Sequence, residues 1–175
     1  MDRESEGRAA AFTQLVGGSL DRAYALATVI LQDREEAEEA THDAALQAWQ
    51  RWSSLRDTSR FEAWFGRILV NACRDRLRRR RRTAPIVSGP LRSPDPDPFA
   101  RMGEIEELRE AIGDLSADHR TVIALRYLAD LSLEEIAERL GVPLGTVKSR
   151  LHHALNALRA SYAAVGRAVG SPTDE

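Results

Sequence analysis

A proline-rich stretch near the middle of the chain constrains the fold more than any other feature. Residues 83–103 (TAPIVSGPLRSPDPDPFARMG) hold five of the seven prolines, together with two glycines and two serines. Proline lacks a backbone N–H and fixes φ, so neither a helix nor a strand persists through prolines at this spacing. We therefore expect a linker over 83–103 between two small domains, 1–82 and 104–160, followed by a flexible tail over 161–175.

The composition indicates a globular protein of ordinary size. The 175 residues are 43% hydrophobic and 30% charged, which suits a soluble chain and not a disordered one. One cysteine excludes a disulfide within the chain, and the polar N-terminus MDRESEGR lacks the apolar segment of a signal peptide. The longest strongly apolar run, Tyr24 to Leu31, is far shorter than the roughly 20 residues of a membrane span. These features predict a cytoplasmic protein.

The segments on both sides of the linker have helical periodicity, and no stretch predicts a strand. Apolar residues recur at helical spacing over 9–31, and we expect a break at Gly17-Gly18. Residues 35–50 and 61–77 continue the helical pattern, and 50–60 has the composition of a loop. The fold class we predict is all-α, with three or four helices in the first domain.

Charge is strongly segregated, although the formal net charge is only −2. Residues 33–43 contain six acids, and residues 74–82 (RDRLRRRRR) contain seven arginines. The arginine run is either a solvated helix end or a site for a polyanion, and we favour nucleic acid because seven close cations repel one another unless they are neutralised. For the acidic block, an acid-rich first helical turn and a partner-binding surface remain equally open.

The second domain contains a helix-turn-helix pattern. Ser132 and Glu135 have capping-box spacing before the helix SLEEIAERL, Gly141 ends that helix, and a second helix follows Pro143. Two helices joined by a three-residue turn that contains glycine are typical of this motif, although a plain helical hairpin is an alternative. The polar outward residues of the second helix suit phosphates and base edges. They are Thr146, Lys148, Ser149, Arg150, His152 and His153.

Nothing in the sequence predicts an enzyme, a metal site or a cofactor. The adjacent histidines His152 and His153 point in different directions on a helix and have no carboxylate or thiol near them at ligand spacing, and Cys73 is expected to face the core of its domain or the edge of that core. No glycine-rich phosphate loop, nucleophile elbow or pair of catalytic carboxylates is present.

With both halves assigned, the chain resembles an extracytoplasmic-function (ECF) sigma factor of bacterial RNA polymerase, over roughly 10–82 and 104–160. EAEEATHDAALQAW (36–49) is similar to the family's region 2.2. FEAWFGRILVNACRDRLRRR (61–80) is similar to regions 2.3 and 2.4. Residues 115–155, above all EIAERLGVPLGTVKSRL, resemble region 4. The resemblance implies a transcription initiation factor with sigma region 2 over 1–82 and sigma region 4 over 104–160.

The resemblance also implies roles for particular residues. Contacts with core polymerase, on the clamp helices of the β′ subunit, map to Glu38, Glu39 and Asp43. Contacts with the minus-ten promoter element map to Asn71, Arg74, Arg78 and Arg79, supported by Trp64. Residues 50–60 would hold an unstacked base. Contacts with the minus-thirty-five element map to Lys148, Ser149, His152 and His153, with Arg150 beside them and Thr146 on the same outer face.

Three positions depart from the family pattern. His42 replaces a usual glutamine and Ala45 a larger apolar residue, which predicts a weaker or differently shaped polymerase contact. His153 replaces a frequent arginine and cannot bind guanine bidentately, so we expect altered or relaxed minus-thirty-five specificity.

The resemblance further implies contact with the polymerase β subunit and control by an anti-sigma factor. We expect a monomer or a heterodimer with that factor. The rival interpretation is a stand-alone repressor, which would be a dimer on a symmetric operator.

Overall fold

The computed structural model describes residues 3–83 and 103–169, and this part of the chain forms seven α-helices and no strand. The chain divides into two compact units, Met1–Ser88 and Gly89–Glu175. The prediction of an all-α fold is therefore confirmed. The proline-rich linker lies almost entirely outside the described residues. No described helix is both long enough and apolar enough to cross a membrane.

The first unit packs three helices against one another. They are α1 (Arg3–Leu31), α2 (Arg34–Gln50) and α3 (Phe61–Thr83). Short 3₁₀ turns at Trp52–Ser54 and Thr58–Arg60 connect α2 to α3, in the segment predicted as a loop. The expected break at Gly17-Gly18 is wrong, because α1 runs through both glycines. Interior glycine costs a helix only about 1 kcal/mol, and the packing of α1 on α2 and α3 offsets that cost.

Small residues on α2 allow the three helices to approach closely. Its inner face carries four alanines with no exposed surface: Ala37, Ala40, Ala44 and Ala48. Larger side chains from α1 and α3 fill the space above them, including the fully buried Ile30 and Leu31. Asp33 begins α2 as its N-cap, where the carboxylate accepts a hydrogen bond of 3.0 Å from the Glu36 N–H. This cap fixes where the acidic face of α2 starts.

An aromatic cluster closes one end of the first unit. The ring of Phe12 on α1 meets Trp49, Trp52 and Phe61 edge-to-face, with centroids 5.2, 5.4 and 6.2 Å apart. The Trp52 indole N–H donates to the Arg8 carbonyl oxygen at 3.1 Å. Aromatic pairs in this geometry add to the free energy of burial, so the cluster holds the connection between α2 and α3 against α1.

The second unit contains four helices around a smaller core. They are α4 (Gly103–Gly113), α5 (Ala117–Tyr127), α6 (Leu133–Leu140) and α7 (Leu144–Val169). Leu115, Ile123 and Ala154 form a buried cluster on which α7 packs through partly buried leucines. Helix α7 continues beyond residue 160, where the sequence placed the start of a flexible tail.

The helix-turn-helix predicted from the sequence is present in α6 and α7. The Ser132 hydroxyl accepts from the Glu135 N–H at 3.2 Å, and the Glu135 carboxylate accepts from the Ser132 N–H at 2.8 Å. Both halves of the capping box are therefore formed. The backbone hydrogen bond from Ser132 is the main reason that the pKa of Glu135 lies below its usual value. Gly141 ends α6 with φ of 65°, a left-handed conformation that suits glycine.

Candidate functional site

The arginine run on α3 is divided between two faces of the helix. Arg76 and Arg80, four residues apart, point toward α2 and are only 15% and 22% exposed. Arg78, Arg79, Arg81 and Arg82 are exposed. Residues four apart lie on one side of a helix, so the two inward arginines form a stripe along the contact with α2.

Arg76 binds two carboxylates on α2 at once. Its Nη1 lies 2.7 Å from Glu39 Oε2, and its Nη2 lies 2.5 Å from Asp43 Oδ2. Burial by itself would lower the pKa of the Arg76 guanidinium, but the hydrogen bonds to Glu39 and Asp43 outweigh burial and the pKa is raised. Arg76 therefore stays charged and bound to both acids.

Arg80 connects α3 to the start of α2 and the end of α1. Its Nε donates to Glu36 Oε1 at 2.6 Å, and its Nη2 lies 3.0 Å from Asp33 Oδ2. Its Nη1 donates to the Leu31 carbonyl oxygen at 3.0 Å. We call the six charged residues of this contact the charge seam: Asp33, Glu36, Glu39, Asp43, Arg76 and Arg80.

The charge seam changes the interpretation of both charged segments. From the sequence, the arginine run favours a nucleic-acid partner, whereas a partner for the acidic block follows only from the family resemblance. Four of the six acids in 33–43 instead bind two arginines of α3. The sequence reasoning missed Arg76 and Arg80, although their spacing of four and the spacing of the acids by three and four were available signals.

Asn71, Arg74 and Arg78, which are predicted to meet the minus-ten element, lie on the face of α3 away from the seam, whereas Arg79 follows Arg76 by three residues and lies beside the seam. Asn71, Arg78 and Arg79 are exposed, and Arg74 is partly buried. Arg78 pairs with Asp75 one turn earlier. Trp64 is partly buried and packs on Phe61, with ring centroids 6.0 Å apart. Helical spacing from 71 to 74 and 78 places three of these side chains on one face.

The connection between α2 and α3 presents polar groups beside this face. Asp57 accepts hydrogen bonds from the Ser59 Oγ at 2.7 Å and from the Ser59 N–H at 3.0 Å. The side-chain hydrogen bond from Ser59 is the largest reason that the pKa of Asp57 is lowered. This fixes the turn that leads into α3.

The residues predicted on the outer face of α7 do not all point outward. Lys148, Ser149, His152 and His153 are exposed, and Thr146 is partly buried. Arg150 turns back toward α5, where its Nη2 lies 2.8 Å from Asp118 Oδ2. Arg150 therefore holds α7 against α5, which the sequence pattern did not reveal.

A histidine pair lies beside this contact. The rings of His119 on α5 and His153 on α7 are stacked with centroids 6.3 Å apart, and His152 is hydrogen-bonded to Asn156 over 2.9 Å. Within the described residues no group of three or more histidine, cysteine or acidic side chains is arranged to hold a metal ion. Cys73 is buried, as predicted, and burial raises the pKa of its thiol to about 12.

Family models match both units. The sigma-70 region 2 model matches residues 15–83, and the sigma-70 region 4 model matches residues 111–160. The chain is 30% identical to the ECF RNA polymerase sigma factor SigW of Bacillus subtilis, over 85% of this chain and 87% of that protein. It is 35% identical to SigL of Mycobacterium tuberculosis, over 77% of this chain and 78% of that protein.

Solved structures have the same fold. The sigma factor RpoE of Bartonella quintana, determined with the anti-sigma factor NepR, aligns with a TM-score of 0.72 and 27% identity. That alignment covers 87% of this chain and 96% of RpoE. CnrH, determined with the cytosolic domain of CnrY, aligns with a TM-score of 0.65 and 25% identity, over 90% of this chain and 95% of CnrH.

The chain therefore belongs to the ECF sigma factors, the transcription initiation factors built from sigma-70 regions 2 and 4. Proteins of this family are initiation factors that act with RNA polymerase; they are not enzymes.

Proposed function

We propose that the chain binds core RNA polymerase through the exposed acidic face of α2 and directs it to promoters through α3 and α7. In this proposal residues 1–82 form the domain for polymerase and the minus-ten element, and 104–160 form the domain for the minus-thirty-five element. The observation that carries it is the division of α3, because Arg76 and Arg80 turn toward α2 in the seam while Arg78, Arg79, Arg81 and Arg82 remain exposed.

The polymerase surface we propose consists of Glu38, Glu39 and Asp43. Glu38 is exposed, and the side chains of Glu39 and Asp43 remain 57% and 51% exposed despite their bonds to Arg76. A row of carboxylates at a helix surface suits a partner that presents arginine or lysine. The clamp helices of the β′ subunit are the partner that the family resemblance implies, with further contacts to the β subunit.

The minus-ten surface we propose is the outer face of α3. Arg74, Arg78 and Arg79 would neutralise phosphates, and Asn71 would bond a base of the opened strand. Trp64 supports this face from below through its contact with Phe61.

The minus-thirty-five surface we propose is the outer face of α7, inserted in the major groove. Lys148, Ser149, His152 and His153 would reach bases and phosphates, and Thr146 lies near the helix start. We assign Arg150 to the support of α7 through Asp118 rather than to a base contact.

An anti-sigma factor is the regulator we propose. RpoE and CnrH were each determined in complex with a partner, NepR for the former and the cytosolic domain of CnrY for the latter. Their likeness to this chain supports a partner of the same class, with the chain as a monomer or in a heterodimer.

The first experiment measures binding of the full chain to core bacterial RNA polymerase by co-elution in gel filtration. We expect a stoichiometric complex with the wild type. Glu39→Gln/Asp43→Asn removes two of the three exposed charges with little change of side-chain shape, and we expect roughly a tenfold or greater loss of affinity, as for charge pairs in other interfaces.

The matched control is Asp21→Asn/Asp114→Asn, which removes the same charge from exposed carboxylates on α1 and after α4. This variant should bind polymerase as the wild type does. A homodimer that ignores polymerase would contradict the proposal and favour a repressor that binds DNA alone.

A further inference from the structure

The two carboxylates proposed for polymerase binding are held from inside the protein by one side chain. Arg76 is 15% exposed, whereas Glu39 and Asp43 are more than half exposed. The guanidinium therefore lies beneath a pair of acids that faces outward.

Glu39 and Asp43 are one helical turn apart on α2, where like charges repel each other. Without a cation between them, each carboxylate would swing into solvent. The planar fork of Arg76 donates one N–H to each acid, at 2.7 and 2.5 Å. Each carboxylate uses one oxygen in this contact, so its second oxygen can accept a donor from outside.

We propose that Arg76 is a positioning residue for core polymerase binding, which fixes Glu39 and Asp43 in the orientation that a cationic partner surface meets. This inference rests on the proposed function. Ordering two flexible acids in advance removes part of the entropy cost of association. Arg76 contributes through its geometry and does not itself contact polymerase.

Geometry and charge make different predictions for a lysine at this position. Lysine keeps the charge but has a single ammonium group on a flexible stem, which cannot reproduce the fork. If Arg76 acted only by balancing charge, Arg76→Lys would bind as the wild type does. Because we infer a geometric role, we expect Arg76→Lys to bind nearly as weakly as Arg76→Gln.

The test is a titration of the fluorescently labelled full chain with core polymerase. Arg76→Gln should weaken binding about fivefold, the lower end of the loss expected when two acidic side chains must be ordered on binding. Arg81→Gln, which removes an exposed arginine from the same helix, should bind as the wild type does. Circular dichroism and thermal unfolding show which variants are folded at the titration temperature.

A double-mutant cycle separates positioning from a general loss of structure. In the Glu39→Gln/Asp43→Asn background, Arg76→Gln should have no further effect on affinity, because the groups that it orients are gone. If Arg76→Gln does not fold, the same double-mutant cycle is measured with Arg76→Lys in its place.

The outcomes distinguish the inference from the proposed function. If Glu39→Gln/Asp43→Asn binds core polymerase as tightly as the wild type, the proposed polymerase surface is wrong. If that variant is weakened but Arg76→Lys binds with wild-type or higher affinity, only the positioning role is overturned, whatever the affinity of Arg76→Gln.

Discussion

Seven arginines lie within residues 74–82, but their surroundings divide them into two kinds. Arg80 binds two carboxylates on α2 and its N-cap and a carbonyl oxygen at the end of α1, and is 22% exposed. Arg81 follows directly and is exposed. A guanidinium bound to partly buried acids contributes to folding, whereas a solvated one contributes little.

Arg80→Met should therefore destabilise the first unit by about 2 kcal/mol, because it leaves Glu36 and Asp33 partly buried without their cation. Arg81→Met, the neighbouring control, should change stability by less than about 0.5 kcal/mol. Urea unfolding followed by tryptophan fluorescence measures both, since Trp49, Trp52 and Trp64 all lie in the first unit. Equal stability of the two variants would show that the seam does not stabilise the fold.

Within the helical elements, glycine has opposite effects on stability at two places in this chain. Gly17 and Gly18 lie inside α1 with no neighbouring atom within 4 Å of an added Cβ. Gly141 also has open space around it, but its φ of 65° is one that side-chain-bearing residues rarely adopt. Helix α1 is long enough, and packed well enough, to continue through two poor helix formers.

The same substitution should consequently have opposite effects. Gly17→Ala and Gly18→Ala should each stabilise the first unit by roughly 0.5 to 1 kcal/mol, because alanine restricts the unfolded chain and favours the helix. Gly141→Ala should destabilise the second unit by about 1 kcal/mol, since it strains the end of α6. Chemical denaturation of the three variants tests the signs; stabilisation by Gly141→Ala would contradict the left-handed assignment.

Across the whole molecule, a net charge of −2 is compatible with binding to a polyanion. Binding depends on the local potential of a surface and not on the total. The seam brings four acids to one side of α3, and the arginines of the opposite side keep their charge exposed. The proposed functions of polymerase binding and DNA binding thus occupy different faces of one small helical unit.

This arrangement predicts how DNA affinity of the full chain depends on salt. Affinity for duplex DNA should fall steeply between about 50 and 200 mM salt, with a log–log slope near −0.9 for each phosphate neutralised. Arg78→Gln should reduce the slope by about 1, whereas Arg76→Gln should leave it unchanged because Arg76 faces α2. Fluorescence anisotropy at several salt concentrations measures the slopes. An equal effect of both variants would place Arg76 on the DNA surface.

Local patterns in the sequence were enough to predict the all-α class, the capping box, the Gly141 turn and the resemblance to the family. Each of these depends on residues close together in the chain: a period near 3.6, a serine three residues before a glutamate, a glycine after the last apolar position. Four of the six positions predicted on the outer face of α7 are exposed, as this period indicates. Thr146 and Arg150 are partly buried, and the partner of Arg150, Asp118, lies on another helix.

Only the tertiary structure decided which charges remain available to partners. Whether Arg76 and Arg80 face solvent or α2 depends on the rotation of α3 and on its position along α2, and no short stretch of sequence specifies either. The same holds for the continuity of α1, since a helix with two interior glycines survives only when packing offsets their cost. The composition supplied the acids and arginines, and the packing of α2 on α3 determined that four of the acids meet two of the arginines.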